Sequence, residues 1–179
     1  MLDRYKYNEK FYYYNEENCR YLIGTVGTKP LIYFGLNPSS ATPSKTDNTF
    51  RRLQDIAKFN DFDSIIIVNL YPFLNTETYK KSSIVNKQEK INFQVISDII
   101  QKLSISMKLK VLFCWGDNIK NYENYNYNRR KVCQILENFS KDIYCLKRTK
   151  ENNPISPVFM KTNTTLQNFE DDFESYLKD

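Results

Sequence analysis

The sequence predicts an α/β fold, a three-layer α/β/α sandwich around a central, mainly parallel sheet. Three observations carry this. Apolar runs of strand length, at Leu31 to Phe34, Ser64 to Val68, Lys110 to Trp115 and Asp142 to Leu146, alternate with stretches whose apolar residues recur at helical spacing. The run Ile65-Ile66-Ile67-Val68 is β-branched throughout, which calls for burial on both faces, as in a central parallel strand. Strand exits are marked by Gly35, Asn69 and Gly116, where ligands sit in open α/β sheets. The 179 residues read as a single domain, 1–179, able to bury a core without staples.

The elements follow in order. Phe11 to Tyr14 begins a strand or packs over one. Tyr21 to Gly27 reads as a strand ending in a turn served by Gly24 and Gly27, forming a hairpin with Leu31 to Phe34. Phe50, Leu53, Ile56 and Ala57 predict a helix over 50–59 with Asp47 or Thr49 as its N-cap. Residues 74–90 form a polar connection. Ile91, Val95, Ile96, Ile99, Ile100 and Leu103 predict a helix over 90–103. Asn121 to Asn128 alternates Asn with Tyr and reads as a surface loop before a helix from Arg129 to Phe139, which carries Arg129, Arg130 and Lys131. An acidic amphipathic helix spans about Thr164 to Leu177.

Composition excludes several chemistries. Histidine is absent, which removes the commonest metal ligand and every Ser-His or Cys-His nucleophile pair. The four cysteines form no CxxC pair, so no zinc site is expected, and no cofactor is implied. Cys114, inside an apolar run, reads as a small buried hydrophobe. No apolar run approaches the roughly 18 residues of a membrane span, so a cytoplasmic protein without a membrane partner is expected. The net charge of +5 permits a polyanionic partner without demanding one.

The first loop, Gly35-Leu36-Asn37-Pro38-Ser39-Ser40, is the most informative. Only four glycines occur in the chain, and a glycine at a strand exit implies a positive φ or a close approach by another group. Pro38 fixes its own φ and holds Asn37 extended, presenting the Asn37 amide rigidly. The same residues also make an ordinary turn. Asp47 has two readings, helix cap or site carboxylate, and the helix start beside it offers amide dipoles to an anion. The last strand runs into a basic stretch, Lys147-Arg148-Thr149-Lys150, and a proline-fixed loop, Asn153-Pro154-Ile155-Ser156-Pro157.

Taken in order, Gly-Leu-Asn-Pro-Ser, Val-Asn-Leu and Asn-Pro-Ile-Ser-Pro at three strand exits resemble the uracil-DNA glycosylase superfamily. The first loop looks most like the Gly-Ile-Asn-Pro-Gly loop of the mismatch-specific uracil/thymine branch. The first loop with Asp47-Asn48-Thr49 and Asn69-Leu70 also looks like a bacterial domain-of-unknown-function family, over most of the chain. The first resemblance implies a uracil-DNA-glycosylase-like fold and a DNA-binding protein that removes uracil, or a mispaired or modified base, by slow N-glycosidic hydrolysis. It implies Asn37 and Ser156 as catalytic residues, with Asn37 orienting the water and Ser156 near the leaving base. Gly35, Leu36, Pro38, Ser39, Asn69 and Asp47 are implied to form the base-binding site, with Asn69 reading the base. The basic residues Lys147, Arg148, Lys150 and Lys161 flank the last loop and are expected to contact DNA phosphates. The implied partner is single-stranded or mispaired DNA, with a protein inhibitor or other protein partner as a second possibility.

The departures from that pattern bear on the chemistry. The first loop has no aspartate to stabilise an oxocarbenium-like sugar, and the last loop has no histidine. No aromatic residue lies between Pro38 and Asn48, where the superfamily places a ring that stacks on the flipped base. Two alternatives therefore stay open. One is a catalytically inactive homologue that binds DNA, a nucleotide or a protein partner. The other is a nucleotide-handling enzyme that uses Asp47 and helix amides on phosphate.

Overall fold

The structure, a computed structural model, describes residues 2–74, 84–122 and 124–178. Seven strands form one sheet: β1 Phe11–Glu16, β2 Cys19–Thr25, β3 Pro30–Gly35, β4 Ser64–Asn69, β5 Leu109–Phe113, β6 Lys141–Cys145 and β7 Gln167–Asn168. Their order is β1-β2-β4-β3-β5-β6-β7. The four central strands, β4-β3-β5-β6, are parallel, whereas β1, β2 and β7 pair antiparallel. The sheet is thus mixed, with the expected parallel character confined to its centre. Among the described residues the α-helices are α1 Asn48–Phe59, α2 Ile84–Ser104, α3 Tyr125–Glu137 and α4 Glu170–Lys178.

Alternation along the strands separates two cores. Ile32, Phe34, Ile66, Val68, Val111 and Phe113 meet the apolar faces of α2, α3 and α4. Leu31, Tyr33, Ile65, Ile67 and Leu112 meet Phe50, Leu53, Ile56 and Ala57 of α1. Helices therefore cover both faces, as the periodicities predict. Cys114 is buried in the second core, where burial pushes its thiol pKa well up. No described helix is long and apolar enough to cross a membrane.

The hairpin expected between residues 21–27 and 31–34 does not form. β2 pairs with β1 through the Glu17-Asn18 turn, and β4 lies between β2 and β3. The reason lies in β4, whose all-apolar, β-branched run needs a neighbour on each edge as well as cover on each face. Gly24 consequently sits within β2 opposite Ile66, not in a turn. The turn at Thr28 and Lys29 is held by Asp63, which accepts from Thr28 N at 2.9 Å, Thr28 Oγ1 at 2.7 Å and Lys29 N at 2.8 Å.

Helix boundaries also differ from expectation. α2 starts at Ile84, so the polar connection at 74–90 is partly helical, and its stretch 75–83 lies outside the described residues. The Asn-Tyr alternation at 121–128 is not all loop: Tyr125 to Asn128 is the first turn of α3, where Asn128 and Val132 share the inner face. The last helix begins at Glu170 rather than near Thr164. Residues 164–169 are used otherwise: Leu166 N donates to Asn60, Gln167–Asn168 pairs with β6, and Phe169 is fully buried.

Asp63 makes a test of the β2-to-β3 crossover. Partial burial works to raise its pKa, but the hydrogen bonds from Ser64, Thr28 and Lys29 outweigh it and hold the carboxyl well below its usual range. A depressed folded pKa contributes stability above the unfolded value of about 3.9, and that contribution is lost as pH falls towards the folded one. Denaturant unfolding from neutral pH into acid should show Asp63→Asn less stable at neutral pH and less sensitive to acid than wild type. An unchanged acid limb would contradict the role given to Asp63.

Candidate functional site

The parallel ladder of β3 and β4 continues past the strand ends. Gly35 is opposite Asn69, Leu70 N donates to Gly35 O at 2.9 Å, and Tyr71 N donates to Leu36 O at 3.0 Å. The exits of β3 and β4 are therefore locked side by side. Because β3, β4, β5 and β6 run parallel, the first loop, the Asn69 exit, the Gly116 exit and the last loop all leave from one edge of the sheet. β3 sends its chain to β4 on one side, and the next crossover places β5 on the other, so the strand order reverses at β3, the strand that carries the first loop.

Gly35 owes its place to close approach, not to a positive φ. A Cβ there would come within 2.7 Å of Asn69 Oδ1 and 2.9 Å of Tyr33 Oη. The positive φ is at Gly116, with φ 68° and ψ −175°, a region open to glycine alone. There the chain turns so that Gly116 N donates to Pro154 O at 2.8 Å, stitching the β5 exit to the last loop. Asp117 completes the stitch by accepting from Thr149 Oγ1 at 2.6 Å and Asn153 Nδ2 at 2.8 Å. These bonds hold the Asp117 pKa below the usual carboxylate range.

Asn37 is half-buried, and its partners fix the amide. Nδ2 donates to Pro38 O at 3.3 Å, and Oδ1 accepts from Tyr122 Oη at 3.3 Å. Tyr122 lies on Tyr71, ring centroids 4.6 Å apart and planes 32° from parallel. The segment between β5 and α3 thus places a ring beside the first loop, which has no aromatic residue between Pro38 and Asn48. Burial raises the Tyr122 pKa, so its hydroxyl stays protonated at neutral pH.

Asn69 is 2% exposed, and its Nδ2 has no hydrogen-bond partner among the described residues. Such an orphaned donor costs about 1–3 kcal/mol until something accepts from it. The backbone beside it is held by two buried amides: Asn92 of α2 donates to Asn69 O at 2.9 Å, and Asn128 of α3 donates to Leu70 O at 3.4 Å.

The first loop is held from beneath by Arg20, which sequence reasoning missed. Its guanidinium is 1% exposed and donates to Ser39 O at 2.7 Å and Ala41 O at 3.0 Å. Burial lowers the Arg20 pKa to about 10, with Asp47 working in the opposite direction, so the cation persists at neutral pH. Asp47 is the α1 cap, accepting from Phe50 N at 2.9 Å, and it also accepts from Ser40 Oγ at 3.4 Å. Burial opposes ionisation of Asp47, but Phe50 N, Ser39, Arg20 and Ala41 together pull its pKa down. The α1 N-terminus expected to take a phosphate thus carries the protein's own carboxylate.

The remaining predicted residues are placed as follows. Leu36 is half-buried and Pro38 buried. Ser156 precedes a single helical turn, Pro157–Phe159, and its nitrogen would lie 3.8 Å from a Cβ on Gly116. Among the described residues no hydrogen bond joins Ser156 to Asn37 or Asn69, so the edge gathers the three loops without linking these side chains. Lys147, Lys150 and Lys161 are exposed. Arg148 is committed elsewhere: it donates to Asp172 from Nε at 3.0 Å and stacks 4.7 Å over Phe169, tying the last loop to α4. A cavity of about 620 Å³ lies at the opposite end of β4, lined by Asp55, Asp61, Asp63 and Ser64.

The family assignment rests on the stretch that builds this edge. The chain belongs to the DUF1643 family, proteins of unknown function. The match covers residues 20–158, from Arg20 through the last loop, and so includes Asn37, Asn69, Tyr122 and Ser156. Lys161 and α4 lie beyond the matched span. No curated protein and no solved structure matches the chain.

Gly35 tests the packing of the DUF1643 edge. Gly35→Ala forces a methyl against Asn69 Oδ1 and Tyr33, and overpacking of this kind costs about 1–3 kcal/mol. Urea unfolding should show a loss of that size. Wild-type stability in the variant would mean that the Asn69 amide is not seated against Gly35.

Proposed function

We propose that this DUF1643 protein is a DNA-binding, uracil-DNA-glycosylase-like protein that takes an unpaired base into the crevice between the β3 and β4 exits and hydrolyses its N-glycosidic bond slowly. The observation that carries the reading is the buried Asn69 Nδ2, an unpartnered donor beside Gly35 and next in space to the loop bearing Asn37. A base carbonyl satisfies that donor. Buried groups waiting for a partner are how a site built to hydrogen-bond its substrate rejects analogues lacking it. Tyr122, half-buried on Tyr71, offers a ring for a flipped base, an interaction worth about 1–3 kcal/mol per base. Val158 and Phe159, exposed beside Ser156, have the character of side chains that wedge between base steps when a duplex is opened.

The reaction assigns limited work to each group. The C1′–N bond breaks with its electron pair passing to the base, leaving an oxocarbenium-like sugar. Water adds to C1′, and its released proton goes to the base anion through solvent. Asn37 Oδ1, held by Tyr122 and Pro38 through the two ends of its amide, accepts from that water and orients it. An amide cannot take the proton or offset the cation, so the rate falls short of a carboxylate-bearing site. A neutral donor such as Ser156 near the leaving base gives weaker charge stabilisation than a cation would. The second reading, an inactive base-binding homologue, is favoured by the carboxylates nearby: Asp47 and Asp117 are both occupied with holding loops.

The deciding assay uses single- and double-stranded oligonucleotides containing uracil or a mispair, scored for alkali-labile abasic sites. Cleavage is expected, slow and favouring weakly paired bases, because flipping costs a few kcal/mol from an intact duplex. Asn37→Ala should abolish turnover with DNA affinity retained, and Tyr122→Phe should lower kcat about tenfold with KM unchanged, since it keeps the ring and loses the hydroxyl. Asn37, Asn69 and a high-pKa Tyr122 do not titrate near neutrality, so the rate should be flat from about pH 6 to 9. Intact substrates throughout, with DNA still bound, would give the protein to the inactive reading. Turnover by Asn37→Ala at the wild-type rate would remove Asn37 from the mechanism.

A further inference from the structure

We infer that the groove between α2 and α3 is a second contact for single-stranded nucleic acid, taking the segment that flanks the base held at the crevice. This rests on the base-binding reading above and extends it to a surface away from the four loops. The groove, about 460 Å³, is lined by Lys90, Phe93, Gln94 and Ser97 of α2 and by Tyr127, Lys131 and Ile135 of α3. The α2 residues fall at i, i+3, i+4 and i+7, and the α3 residues at i, i+4 and i+8, so each helix presents one continuous stripe to the groove.

Its position follows from the two buried asparagines. Asn92 and Asn128 reach inward to the carbonyls of Asn69 and Leu70. Phe93 and Tyr127 are their immediate chain neighbours and both line the groove, Phe93 buried and Tyr127 exposed. The groove is therefore the outer side of the same helical turns whose inner side holds the strand exit. A helix with side chains is about 10–12 Å across, so a strand leaving the crevice reaches the groove within a few nucleotides.

Its chemistry favours a nucleic acid. Tyr127 meets Phe93 in a T-shaped contact, ring centroids 6.4 Å apart, and is 59% exposed, so much of its ring stays open to solvent. Lys90 and Lys131 form no ion pair among the described residues. Cations flanking an exposed ring match a polymer of phosphates and flat bases. The wall of Gln94 and Ser97 is polar, with Gln94 Nε2 donating to Asp98 at 2.9 Å and Ser97 Oγ accepting from Gln101 at 3.0 Å, which leaves the Gln94 carbonyl and the Ser97 hydroxyl proton for base edges and suits an apolar docking helix poorly. The 620 Å³ cavity at the far end of β4, where Asp55, Asp61 and Asp63 outnumber Lys58, is less suited to the same polymer.

Fluorescence anisotropy with labelled oligothymidylates containing one uracil, one of about three nucleotides and one of about 12, tests this at about 50 and 200 mM salt. Wild type should bind the longer strand more tightly. Lys90→Gln with Lys131→Gln should lower the slope of log affinity on log salt by about 1.4 for the longer strand, about 0.7 for each phosphate no longer neutralised. Tyr127→Ala should weaken the longer strand about tenfold, and none of these changes should affect the shorter one. Lys102→Gln, on α2 but outside the groove, should match wild type. Wild-type binding and salt slope in the groove variants would overturn the inference and leave the base-binding reading standing. If wild type binds neither oligonucleotide, the base-binding reading itself fails. Binding of polyglutamate to the groove, without oligonucleotide binding, would assign it to an acidic protein partner and overturn the inference.

Discussion

The site depends on one constraint, the extension of the β3–β4 parallel ladder beyond its strands. Two further backbone hydrogen bonds, from Leu70 to Gly35 and from Tyr71 to Leu36, carry the pairing into what would otherwise be two independent loops. Pairing at that point demands a residue without a side chain opposite Asn69, and Gly35 supplies it. Once the exits are paired, the Asn69 amide has nowhere to go but alongside Gly35, and Tyr71 is fixed as the support for Tyr122. Loop positions are ordinarily the most mobile part of a fold. Here they inherit the rigidity of a sheet centre.

The rest of the edge is assembled by charges and amides that never reach solvent. Arg20 projects from β2 under the first loop and accepts the desolvation this entails because two carbonyls and the Asp47 carboxylate surround it. A buried cation with partial compensation is a poor source of stability, since an apolar replacement of equal volume often does as well. Its value is in specifying one loop conformation. Asn92 and Asn128 act similarly from the helical side, each committing a buried amide to a carbonyl of the strand exit. The edge thus carries three polar supports directed at backbone.

Much of this was legible in the sequence and some was not, for identifiable reasons. Ile65 to Val68 announced a central strand because no other environment suits four β-branched residues. Gly35, Asn37 and Asn69 stood out because scarce or polar residues interrupt apolar runs at strand exits. The placement of β4 between β2 and β3 was hidden, since short connections favour hairpins and only the need of β4 for two neighbours overrides that preference. Tyr122 was hidden because contact across 85 residues leaves no local mark. Arg20, Asn92 and Asn128 did leave a signal: each is a polar residue at a position whose neighbours at strand or helix spacing are apolar. A buried polar group must be hydrogen-bonded, so such positions point to backbone that needs holding.

The same logic explains why the site is made of amides and phenols. A carboxylate in the position of Asn37 would meet the Tyr122 hydroxyl, in a loop whose own carboxylate, Asp47, already caps α1. Two anions in one partly desolvated loop would push each other's pKa up, and the loop would lose the ionised Asp47 that caps α1. Arg20 is already committed to the Ser39 and Ala41 carbonyls and to the charge of Asp47. A neutral amide avoids this conflict and still orients a water or a base edge. Under the proposed glycosylase reading the cost falls on charge stabilisation during bond cleavage, so the architecture that holds the first loop would also set the upper limit on that chemistry.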